Sequence, residues 1–118
     1  MNIQRMQTND RLSGAVNFGE LVFLSGQVPT NRSLDVAGQT VEVLAKIDTL
    51  LAEAGSDRSR LLSAQIWLKD IEHDFAAMNQ EWIKWLPQGC APARATVEAR
   101  LASGDVLVEI MVIAARNS

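Results

Sequence analysis

Two charged residues stand where charge is least expected. Arg94 follows Pro92-Ala93 directly, at the head of the alternating stretch ARATVEARL (93–101). Glu109 interrupts VLVEIMVIAA (106–115), which is otherwise wholly apolar. The planar fork of an arginine grips a carboxylate through two parallel hydrogen bonds, a geometry that lysine does not offer. A carboxylate among Val, Ile and Met is costly unless it is paired or hydrogen-bonded. One well-placed arginine can govern a pocket for a small anionic ligand. A plainer account competes: Glu109 pairs with Arg100 or another local cation, and Arg94 is a solvated residue at a strand end.

The remaining candidates are weaker. His73, the one histidine, stands between Glu72 and Asp74 near a helix start and reads as solvated. Cys90, the one cysteine, reads as a loop bystander. The two are too isolated to form a metal cluster, and no local signature makes them a catalytic dyad. SGQVP (25–29) has the wrong spacing for a nucleotide-phosphate loop. Trp82 and Trp85 read as core, with room for one to wall a pocket. No cofactor and no metal are called for.

Positioning these residues needs a sheet. IQRM (3–6) reads as a short edge strand. Residues 14–19 and 20–29 form a hairpin turning at Gly19-Glu20, and Pro29 ends it. Over 36–55, Val41, Leu44, Ile47, Leu51 and Ala54 recur at helical steps, and Gly55 is a natural stop. Residues 60–70 form the next strand, on which Leu62, Ala64, Ile66 and Leu68 alternate with Ser63, Gln65 and Trp67. A second helix over about 72–86 carries Phe75, Met78, Trp82, Trp85 and Leu86 on its inner face, and Pro87 and Gly89 stop it. The last two strands, 93–101 and 106–115, are predicted to pair as a hairpin through Ser103-Gly104. That pairing would set Arg94 opposite residues 113–114 and Glu109 near 98–99. The two charges then meet only across a pocket or a subunit boundary.

The order β-β-β-α-β-α-β-β predicts one α+β domain over residues 1–118, a two-layer sandwich of a mixed six-stranded sheet with two helices on one face. The final strand is apolar on both faces, and the helices can bury only one of them. The other face is therefore expected to pack on a second subunit. A chain of 118 residues with a net charge of −3 and 47 % hydrophobic residues is that of an ordinary globular domain without a basic footprint for nucleic acid. The longest apolar run is too short for a membrane span, and the first residues lack the charged-then-apolar order of a secretory leader. With a single cysteine, the expectation is cytoplasmic.

Taken together, LVFLSGQVP (21–29), GQTVEVLAKIDTLLAEAGS (38–56), PAR (92–94) and VEIMVIA (108–114) resemble the RidA/YjgF family of reactive imine deaminases, in order and along nearly the whole chain. The resemblance implies a chorismate-mutase-like fold, a homotrimer with clefts between subunits, and hydrolysis of 2-aminoacrylate and 2-iminopropionate to pyruvate and ammonia. By position it makes Arg94 the grip on the substrate carboxylate and Glu109 the residue that orients the water. It puts Gly26 and Thr96 in the cleft lining, with Asn79 and Trp85 as walls. The family's pocket tyrosine is missing: the chain has no Tyr, and the aligned position is Leu12. Thr96 stands where the family often has Cys. These departures resemble a divergent subfamily with altered substrate preference. The alternative is a non-catalytic binding module or sensor for small 2-oxo acids, which would need Arg94 but not Glu109. A chaperone-like role for the apolar sheet face and an endoribonuclease activity, which the acidic chain disfavours, are further readings.

Overall fold

The computed structural model describes residues 1–117. The elements run β1 (Ile3–Thr8), β2 (Ser13–Phe18), β3 (Leu21–Leu24), α1 (Val36–Glu53), β4 (Leu61–Leu68), α2 (Ile71–Trp85), β5 (Ala93–Glu98) and β6 (Val108–Ala115). A single 3₁₀ turn at Arg58–Arg60, absent from the sequence reading, leads into β4. The six strands form one mixed sheet in the order β1-β2-β3-β6-β4-β5. Among the described residues, no helix is long and apolar enough to cross a membrane.

Local chemistry sets the helix ends. Asp35 caps α1 by accepting from Gly38 N at 2.9 Å, and Asp70 caps α2 by accepting from His73 N at 3.2 Å. Gly55 takes the left-handed conformation after α1 (φ +83°). Ser56 N then bonds Leu51 O, and Gly55 N bonds Ala52 O, which satisfies the last carbonyls. Leu86 is extended because Pro87 follows it, and α2 ends there.

Both helices lie on one face. Val43, Leu44, Ile47 and Leu51 of α1 and Met78 and Trp82 of α2 pack on Ala15, Val22, Leu24, Ala64, Ile66, Leu68, Val108, Ile110 and Val112. Val41 is not part of that stripe. It is half-exposed, displaced by the buried pair Gln39 and Thr40. Gln39 is fully buried, with its amide donating to the carbonyls of Leu34 and Asp105 and accepting from Leu107 N. It ties the loop before α1 to the segment entering β6.

The expected pairing of the last two strands fails. β5 and β6 are not a hairpin. β5 runs parallel to β4 at the sheet edge, and β6 lies on the other side of β4, between β4 and β3. The α2 crossover delivers β5 parallel to β4, as such connections do. The chain then passes the end of β4, with Ala99 N on Leu68 O and Lys69 N on Leu107 O. The doubly apolar strand thereby takes an inner position with hydrogen bonds on both edges, and the more polar ARATVE takes the edge. Arg94 consequently lies opposite Ala64, not opposite residues 113–114. Arg100 lies outside the strand.

Candidate functional site

Arg94 leaves β5 on the helix side, as its partner Ala64 does. Its Nη1 donates to Asn79 Oδ1 at 2.7 Å. The guanidinium lies 5.7 Å from the Trp82 ring centre and 6.0 Å from that of Phe75, within cation–π range of both. Phe75, Asn79 and Trp82 are spaced i, i+4, i+7, so one stripe of α2 forms the whole cradle. Asn79 was expected here. Phe75 reads from the sequence as core, and Trp82 as core with room to wall a pocket; the i, i+4, i+7 spacing carries the signal for the cradle. Burial pushes the Arg94 pKa down, the signature of a cation held partly out of water. Thr96, two residues on and on the same face, has a buried hydroxyl with no hydrogen-bond partner.

Trp85 does not wall this cradle. Its indole N–H donates to Asp48 Oδ2 at 3.0 Å, and Arg58, which also binds Asp48, lies over its ring at 5.1 Å. Six residues beyond Asn79, about one and two-thirds turns, the side chain has come round toward α1, so Trp85 joins the α1–α2 packing. His73 is exposed and bonds its neighbour Asp74 at 2.7 Å, which raises the His73 pKa.

Glu109 projects from the opposite face of the sheet. Its neighbours Val108 and Ile110 point into the core, so alternation turns Glu109, Met111 and Ile113 to the open side. Across from it on β4 is Trp67. Gly26 closes another side. A Cβ there would collide with Glu109 Oε2 and stand 3.0 Å from Glu109 Cδ. Gly26 is thus a place where only hydrogen fits. Burial alone raises the Glu109 pKa, with no nearby charge contributing. Neither Glu109 nor Arg94 has an ion-pair partner among the described residues, so the expected pairing of Glu109 with Arg100 is not formed.

Leu12 lies elsewhere again. It is half-exposed in the β1–β2 turn and lines a hollow with Gln7, Gly14, Gln27, Lys46 and Leu50. β2 and β5 are four strands apart, about 19 Å at ordinary spacing. Arg94 and Glu109 are two strands apart and three residues out of register, about 10 Å in each direction, on opposite faces. One chain therefore presents three separate parts: a cation cradle, a half-buried carboxylate and an apolar turn.

The open face between them is greasy. Register and alternation put Ile3, Phe18, Leu21, Phe23 and Val97 there, all substantially exposed. Contiguous exposed apolar surface is the kind on which proteins commonly meet partners.

Comparison with known proteins agrees with this architecture. The family described as endoribonuclease L-PSP matches residues 2–116. A RutC family protein of Haemophilus influenzae is 44 % identical over 115 residues, covering 97 % of this chain and 98 % of its own. The RutC family protein YoaB of Escherichia coli is 41 % identical over 115 residues, covering 98 % and 99 %. A crystal structure of a YjgF family member from Neisseria meningitidis superposes with a TM-score of 0.97 at 47 % identity, over 100 % of this chain and 98 % of that one.

Proposed function

The chain belongs to the endoribonuclease L-PSP family, alongside its RutC and YjgF relatives, and on that premise we propose that it hydrolyses small reactive enamines and imines of 2-oxo acids. The substrates are of the 2-aminoacrylate and 2-iminopropionate type, and the products are the 2-oxo acid and ammonia. The observation that carries the reading is a pair of partly buried opposite charges with no ion-pair partner for either among the described residues. Each charge is costly to keep unless something arrives to meet it.

The site is completed between copies of the chain. Arg94 stands on an edge strand and Glu109 on an apolar open face, so an edge laid over a neighbour's open face brings them together. A homotrimer is the assembly the family resemblance implies. In such a cleft Arg94, steadied by Asn79 and the rings of Trp82 and Phe75, holds the substrate carboxylate in a bidentate grip. Glu109, basic because it is desolvated, takes a proton from water as the oxygen attacks the imine carbon. The tetrahedral carbinolamine then collapses: the carbonyl forms, the C–N bond breaks, and nitrogen leaves as ammonia with the proton returned. Every atom comes from imine and water, so the chemistry needs no cofactor and no metal. The family's description names a ribonuclease, but a net charge of −3 without a basic stripe suits a small anion better than RNA.

The test generates 2-iminopropionate with an amino-acid oxidase acting on alanine and traps what remains with semicarbazide. Wild type is expected to suppress the semicarbazone, while Arg94→Ala and Glu109→Ala do not. Suppression by neither wild type nor variants, on alanine-, leucine- and phenylalanine-derived imines alike, overturns the enzymatic reading. Pyruvate binding lost only in Arg94→Ala would then favour a carboxylate-binding module.

A further inference from the structure

Trp67 has no part in the chemistry above, yet the fold puts it directly opposite the one carboxylate that chemistry needs. β4 and β6 are antiparallel inner strands, and Trp67 pairs with Glu109 in their register. On such a pair the Cβ atoms stand about 5 Å apart on the same face. The two side chains are therefore neighbours on the open side of the sheet. Gly26 backs the carboxylate so closely that a methyl group cannot be inserted without displacing it. Glu109 thus has backbone on one side and the largest side chain of the protein's alphabet on another.

Building on the function proposed above, we propose that Trp67 is a positioning residue, whose indole holds the Glu109 carboxylate against Gly26 and keeps water from one side of it. A charge partner would leave a different mark. The elements packed round Glu109 offer few candidates: Lys69 just beyond β4, whose ammonium binds Gly104 O, and Glu98 on β5, whose carboxylate caps Ile71 N. β6 itself and the Ser25–Gln27 segment carry no other titratable side chain beside it. Neither Lys69 nor Glu98 contributes to the perturbation of Glu109, whose cause is burial alone. In an assembled cleft the Arg94 of a neighbouring copy would act in the opposite direction. It acts equally on every Trp67 variant and drops out of their comparison.

The experiment is carbon-detected NMR titration of the assembled protein labelled at the glutamate carboxyl carbon, with Glu109 assigned from Glu109→Gln. Trp67→Phe, Trp67→Leu and Trp67→Gln are compared with wild type, together with the pH profile of kcat/KM for imine hydrolysis. Trp67→Phe is expected to titrate near wild type, Trp67→Leu lower, and Trp67→Gln lowest. The acid limb of the rate profile moves with it. A residue that merely fills space would leave the Glu109 midpoint in place. Coincident midpoints across the folded variants overturn the proposal, and the leucine variant alone suffices if the glutamine one does not assemble. A ranked shift in a protein that hydrolyses no imine upholds the role of Trp67 and overturns the imine reading instead.

Discussion

Replacing Gly26 by Ala should disable Glu109 without touching Arg94. The backbone at Gly26 is not left-handed, so alanine brings no conformational strain. Its whole effect is the methyl group, which would overlap Glu109 Oε2 and lie 3.0 Å from Cδ and 3.2 Å from Cγ. A methyl–carboxylate contact needs about 3.5–4.0 Å. The carboxylate must therefore swing away by about 1 Å or more, toward the open face. That face gives it somewhere to go, so the stability cost should stay at the low end of overpacking, about 1 kcal/mol. The chemical cost is larger, because misplacing a catalytic group by about 1 Å is worth about 100-fold in rate. The semicarbazide-trap assay should show kcat reduced about 100-fold, with pyruvate affinity nearly unchanged because the substitution leaves the Arg94 grip on the carboxylate intact. The double variant Gly26→Ala/Glu109→Ala should be no slower than Glu109→Ala alone, since glycine acts only through the carboxylate. Full additivity of the two substitutions, or a wild-type rate in Gly26→Ala, would refute the reasoning.

Three further outcomes follow from particular contacts. Phe23→Glu sets a charge in the middle of the exposed apolar face and should yield a folded monomer by sedimentation velocity that no longer hydrolyses imine, because the proposed cleft is built from two copies. Gln39→Leu strips the buried bonds that tie Leu34, Asp105 and Leu107 together. It should cost about 3 kcal/mol, read as a lower urea midpoint at unchanged slope. Trp85→Phe removes the bond to Asp48 and should cost about 1 kcal/mol of stability while leaving the KM for imine unchanged, which separates this tryptophan from Trp82.

Sequence alone determined the layers, most of the elements and the two charges that matter. Helical spacing in 36–55 and 72–86 and alternation in the strands are local properties, and most of them survive in the fold because each buried face is continuous along its own segment; Val41, Leu62 and Phe75 are exposed instead, Leu62 beside the bulge between Leu61 and Ser63. The doubly apolar 106–115 likewise announced that both its faces want cover. Arg94 and Glu109 stood out because each breaks the pattern of its own segment, which can be seen without neighbours. What only the tertiary structure decided is which strands adjoin. Ser103-Gly104 looks like a hairpin turn whether 93–101 folds back on 106–115 or passes round the end of β4. The choice is made by α2, which fixes β5 parallel to β4, and by the two open hydrogen-bonding edges that make the inner position best for the apolar strand. That choice puts Arg94 and Glu109 on opposite faces, gives Arg94 its aromatic cradle, and seats Trp67 beside Glu109. Contacts between residues dozens of positions apart depend on register across strands, and no window along the chain contains it.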